Sequence, residues 1–179
     1  MKEEISRRVF HATLLGVALA AAPAGAAETD DEQRDYPAPT FKPTLKKPRL
    51  GGTLIQDFVI FGHYDLDMVK RLLEKEPAVL NATVDWGSGD WETALGGASH
   101  LGRRDIAEFL IGRGARPDIF TAAMLGHLDI VKGLIAAHPA LATAKGPHGI
   151  PLATHAKMGG KQAEAVLKYL ETLKPARTA

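Results

Sequence analysis

Three stretches of the chain repeat one helix-turn-helix pattern in register, and that repetition limits the folds open to it. Leu95 to Gly102, Ile119 to Gly126 and Leu152 to Gly159 each set an apolar residue seven before a glycine. Each stretch reads as a short helix stopped by a residue that takes a left-handed turn without a side-chain clash. After the first two come an aspartate and a pair of apolar doublets, Ile106-Ala107 with Leu110-Ile111 and Ile130-Val131 with Leu134-Ile135. The same second-helix text runs earlier from Asp67 to Leu73 and on to Pro77-Ala78, in parallel with Asp129 to Ile135 and Pro139-Ala140. A unit this small cannot bury its apolar face alone, so copies must stack. On this reading Leu134 lies on a stripe buried by both neighbouring copies, and Asp67, Asp105 and Asp129 sit at the positive ends of the second helices.

The pattern resembles the ankyrin repeat over roughly Thr53 to Leu173. Thr93-Ala94-Leu95-Gly96-Gly97-Ala98 stands where that family writes its T-P-L-H-x-A helix opening. Leu110-Ile111 followed by Gly114-Ala115-Arg116-Pro117-Asp118 is similar to the family's leucine pair and G-A-D-P-N text. The last unit keeps Pro151 and Leu152 but has His155 where a small alanine is expected, and in the first unit Tyr64 takes the glycine position. The resemblance implies an all-α solenoid of about four units over residues 53–173, joined by short finger connections, whose usual work is protein-protein contact.

Copy spacing is uneven. Gly102 to Gly126 spans 24 residues and Gly126 to Gly159 spans 33, the full ankyrin length. The short unit has no room for a finger, whereas Asn81 to Glu92 and Ala142 to Ile150 on either side are long and rich in turn-forming residues. Two fingers with a notch between them are expected.

Residues 1–26 look like an export signal. Ser6-Arg7-Arg8-Val9-Phe10 resembles the twin-arginine motif, with Arg7 and Arg8 as the recognised pair, and an apolar run from Ala12 to Ala22 leads to the small-residue site Ala24-Gly25-Ala26. The run is too short for a membrane span, so no stable membrane anchor is expected after cleavage, and the destination is periplasmic or secreted. General secretion is the alternative route. Residues 27–52, with Pro37, Pro39, Pro43 and Pro48 among charges, read as a linker or arm, and 174–179 as a frayed tail.

Without the signal, 19 basic and 19 acidic residues remain. A neutral chain lacks the electrostatic footprint of a nucleic-acid binder. The absence of cysteine excludes disulfides, thiol catalysis and Cys-ligated metals.

No nucleophile elbow, phosphate loop or H-E-x-x-H pair is present, so no catalytic residue and no cofactor is assigned. The histidines are the remaining material for chemistry. Folding could bring His100, His148 and His155 together with Glu92 or Asp85, since zinc accepts imidazole and carboxylate ligands, but spacing alone supplies no evidence for it. The simpler reading has His100 on the surface of an inner helix, His148 at a finger tip and His155 packed and bonded to backbone. Both tryptophans fall in the first finger, Trp86 as an equal choice between interface anchor and lid, Trp91 as a packed residue. Register places His100, Met124 and Lys157 in one stripe on the concave side, with Arg113 and Arg116 where a finger is missing. The sequence therefore points to a binding module that meets an unidentified protein through Trp86, Trp91, His100, Arg113, Arg116, Met124, His148 and Lys157. The alternative is a small metal-dependent or acid-base enzyme using a histidine-lined notch.

Overall fold

The computed structural model describes residues 35–41, 44 and 47–173. The expected export segment with Arg7 and Arg8, residues 27–34, 42–43 and 45–46 of the expected arm, and the tail 174–179 lie outside the described residues. The chain divides into two units, Met1–Leu45 and Lys46–Ala179. The described residues of the first carry no helix or strand and are exposed, Tyr36 and Phe41 among them. No helix of the described residues is long and apolar enough to cross a membrane.

The second unit is mostly helical, as the periodicity requires. Its α-helices are α1 (Gly52–Gly62), α2 (Leu66–Lys75), α3 (Ala94–His100), α4 (Arg104–Gly112), α5 (Ile119–Leu125), α6 (Leu128–Ala137), α7 (Leu152–Met158) and α8 (Glu164–Thr172). Strands β1 (Thr83–Asp85) and β2 (Trp91–Thr93) form an antiparallel hairpin between α2 and α3. Helix α1 packs on α3, α3 on α5 and α5 on α7, while α2, α4, α6 and α8 each pack on the helix before them.

Local chemistry explains the boundaries. Asp65, Thr93 and Asp118 accept the free amides of Met68, Gly96 and Thr121 at the starts of α2, α3 and α5. Asp67, Asp105 and Asp129 occupy the first turns of α2, α4 and α6, where the helix dipole favours them. Residues one turn apart on the second helices are buried, such as Val69 with Leu73, Ile106 with Leu110, Val131 with Ile135 and Val166 with Leu170. These feed two apolar clusters, one around Phe58, Leu95 and Ile106, the other around Ile119, Leu152 and Val166. Leu134 is only partly buried at the edge of the second cluster, because Val131 and Ile135 face inward in its place.

Gly126 ends α5 at φ +79°, the expected left-handed stop. Gly159 does not follow suit. Its φ is −71°, and the left-handed residue is Gly160. Gly159 is required by space instead, since a Cβ there would overlap the Met124 carbonyl oxygen where α7 meets α5. As the spacing demands, Arg113 to Asp118 carries no strand, and the chain passes directly from α4 to α5.

Candidate metal centre

The hairpin delivers the first element of the site. Val84 pairs with Glu92 across the two strands, and the period of two turns both inward while Asp85 and Trp91 face out. Glu92 is thereby carried into the interior, 1% exposed. A buried carboxylate is costly unless it is bonded and neutralised. Trp86 supplies one bond, its indole Nε1–H donating to Glu92 Oε2 at 2.8 Å.

Three histidines from three other places surround that carboxylate. His100 is the last residue of α3, and helical side chains lean back toward the N-terminus, so its Nε2 reaches Glu92 Oε1 at 2.9 Å. His63 follows α1 and is buttressed by Nδ1–H donation to the Val59 carbonyl at 2.9 Å, which aims Nε2 to within 3.3 Å of Glu92 Oε2. Its ring lies on Gly97 of α3, where any Cβ would come within 2.6 Å of the ring carbon Cε1. His148 comes from the second finger, a 3-10 turn at Pro147–Gly149, with Nε2 3.3 Å from Glu92 Oε2. Its φ of +58° is unfavourable for a residue with a side chain. Two bonds to Asp90 in the first finger hold it there, from the backbone amide and from ring Nδ1–H, each 2.8 Å.

The proton inventory at this point is unbalanced. The Val59 carbonyl can only accept, and the ionised Asp90 carboxylate likewise, so Nδ1 carries the proton in both His63 and His148. A neutral ring then presents a bare Nε2, and both bare nitrogens face Glu92 Oε2, another acceptor. Charging both rings would resolve the clash only by gathering imidazolium ions around one buried carboxylate. One divalent cation resolves it with no added proton. The four ligand atoms lie within 4.8 Å of one another. The Nε2 atoms of His63 and His148 each lie 3.3 Å from Glu92 Oε2 and those of His63 and His100 lie 3.2 Å apart, near the edge of about 3.3 Å of a tetrahedron with zinc-ligand bonds of about 2.0 Å. The whole set spans up to 4.8 Å and would draw in around an ion. The bonds of His63 to Val59 and of His148 to Asp90 are the outer supports that orient metal-binding imidazoles.

The same contacts set the ionisation. Burial pushes the Glu92 carboxyl up, and the bonds from His100, His63 and Trp86 outweigh it and hold the group well below the usual carboxylate range. Without an ion, protonation of His63 at Nε2 supplies the missing donor, so the Glu92 carboxylate favours the charged ring and raises His63 above an ordinary histidine against its partial burial. His155 is different. It is fully buried beside His100, ring centroids 6.3 Å apart, with Phe120 on another side at 5.0 Å. Neither ring nitrogen has a hydrogen-bond partner, and burial lowers its pKa to about 4.

No family model, curated protein or solved structure matches the chain.

The site geometry redistributes the residues singled out from sequence. His100, His148 and Glu92 converge, while Asp85 only braces the hairpin turn by accepting the Gly87 and Gly89 amides. His155 is packed as expected but is bonded to no backbone group. The concave stripe is not a surface, because His100 and Met124 are buried and only Lys157 is exposed. Of the two roles open to Trp86, it takes the inward one, half-buried against Glu92, whereas Trp91, expected to pack, is 59% exposed. Arg113 lies over the Phe109 ring at 4.8 Å and the Arg116 amide bonds Asn81, so neither joins Trp86 and His148. The notch is also smaller than expected, because Asp90 and His148 join the two fingers directly. A cleft of about 350 Å³ persists beneath, lined by Trp91, Asp118, Phe120 and Lys145 among others.

His63 carried no sequence signal. Gly62-His63 repeats the text of Gly126-His127, and His127 is exposed. Only the packing of α1 on α3, with Gly97 facing the ring, separates the two.

Proposed function

We propose that the chain is an exported, ankyrin-like repeat protein built around one divalent transition-metal ion held by His63, Glu92, His100 and His148. The observation that carries this is the pair of imidazoles whose Nδ1–H groups are already committed outward while their Nε2 atoms point at a buried carboxylate. Three imidazoles, one carboxylate and no thiolate suit zinc or the neighbouring iron, cobalt, nickel and copper ions rather than calcium or magnesium. The succession of helix pairs, each inner helix packed on the next, supports the repeat reading. Of the two functions considered from sequence, the metal-dependent one is favoured; four protein ligands match a closed, structural centre, and chemistry at the ion would require one ligand to yield or a fifth position to open.

Metal analysis of the purified chain tests this directly. We expect one equivalent of a first-row divalent ion, restored by zinc after chelation. His100→Ala and Glu92→Gln should each lose it while keeping the helical circular dichroism of the parent. A parent that binds no more zinc than those variants would overturn the reading.

Trp91 supports a second reading, contact with a partner protein, since an exposed tryptophan beside a cleft is a common interface anchor. Trp91→Ala should then weaken capture of the partner and leave metal content unchanged.

A further inference from the structure

A centre closed by four protein ligands takes up or releases its ion when one of them gives way. Three of the four are built into the body of the fold. Glu92 and His100 are buried, and His63 is held between the Val59 carbonyl and Gly97. The fourth differs in kind. The His148 side chain is 35% exposed and stands on the Pro147–Gly149 turn, which has no buried residue. We infer that this second finger is the gate of the centre: the ion enters and leaves when the turn carries His148 away from Glu92, and Asp90 is the catch that holds it shut. The inference rests on the metal reading above and adds to it how the site opens.

The finger is tied at its base and held at its tip by one residue. A bridge between Lys145 and Pro151 and a bond from the Gly146 amide to the Ile150 carbonyl close the base. Above them the Gly149 amide bonds the Gly146 carbonyl, and open space surrounds Gly149 where a side chain would stand. Among the described residues, and apart from the approach of Nε2 to Glu92, the turn makes two hydrogen bonds outside its own finger. Both run from His148 to Asp90, each 2.8 Å. Asp90 is only half-buried in the turn of the hairpin, so water can replace it on either group.

The closed position is a balance. His148 holds φ +58°, so the catch works against backbone strain that is given back when the turn lets go. What stays inside is His63, Glu92 and His100. Three such ligands with a water in the fourth place make up an open zinc site, so the ion need not leave in the same step. The bonds to Asp90 belong to the closed state alone. Their loss should therefore act on the rate at which the ion departs.

Cobalt(II) separates these steps, because its visible spectrum follows the number and kind of its ligands. The full chain is chelated, reloaded with cobalt and challenged with excess EDTA. We expect Asp90→Ala to load one equivalent with the parental spectrum and to release it about tenfold faster or more, the scale on which an outer support acts. His148→Ala should still load cobalt, with a changed spectrum that added imidazole moves back toward the parental one, whereas His100→Ala should not load. A parent that takes up no cobalt would remove the metal reading and this inference with it. A loaded parent whose release rate is unaltered by Asp90→Ala would leave the metal in place and overturn the gate. So would a His148→Ala protein that loads no cobalt or whose spectrum ignores imidazole.

Discussion

Gly97 shows how much of the centre depends on a missing methyl group. Its α-hydrogen face is the floor on which the His63 ring lies, and the space is too small for a Cβ. Gly97→Ala should leave α3 intact, alanine being the better helix former, yet displace His63 and weaken zinc binding by about ten- to a hundredfold, as loss of an orienting contact does elsewhere. Isothermal titration with zinc measures it, and parental affinity would show that His63 is not held by this floor. His155 makes the opposite demonstration, a buried polar group with nothing to bond. Its folded-state pKa of about 4 lies below the 6.5 of an ordinary histidine in the unfolded chain, so the unfolded state takes up the proton first as pH falls. Metal-free protein should therefore lose stability between about pH 6.5 and 4, by on the order of 3 kcal/mol, and His155→Leu should flatten that loss and be at least as stable at pH 7. Urea melts at pH 7 and 4.5 decide it; equal losses in both proteins would assign the acid sensitivity elsewhere.

The helices were legible where local signals agreed, as in α3 with its Thr93 cap and α5 with its Gly126 stop, and through the apolar period of α2, α4 and α6. Thr93, Asp105 and Gly126 are where the text places them. Which residue of an apolar doublet faces inward was less legible. Ile130 and Leu134 match Val131 and Ile135 in hydrophobicity, but the rotation of α6 on its neighbours buries the latter two and leaves Ile130 52% exposed. Ile106→Ala, at a fully buried position of α4, should cost about 2–5 kcal/mol, whereas Leu134→Ala at the rim of its cluster should cost about half as much. Thermal melts that reverse this order would mean α6 is rotated from the described position. The centre was half legible for a related reason. Glu92, His100 and His148 were all candidates by residue type, though their spacing gave no sign that they meet, and His63 was not among them. His63 and His148 arrive from contacts 37 and 58 residues away, to His100 and Asp90, that no periodicity encodes.

In the molecule as a whole, the two proposals meet. Were Arg7 and Arg8 to serve the proposed twin-arginine route, the chain would cross already folded and the ion could be inserted before export. Arg7→Lys with Arg8→Lys should retain the precursor inside the cell, checked by fractionation; normal export would point to the general secretory route. The join between the fingers has a mechanical consequence as well. Stacked units touch mainly their neighbours, so such arrays ordinarily come apart from the ends, one copy at a time. Here His63 follows α1 and His148 precedes α7, each with Nε2 3.3 Å from Glu92 Oε2. On the proposed repeat and metal readings, one ion would close a loop from the first unit to the last, adding to the direct packing of α3 on α7. With the ion bound, terminal copies cannot peel away independently, and amide exchange in α1 and α7 should slow together when zinc is added, turning a chain of separable modules into one that opens all at once.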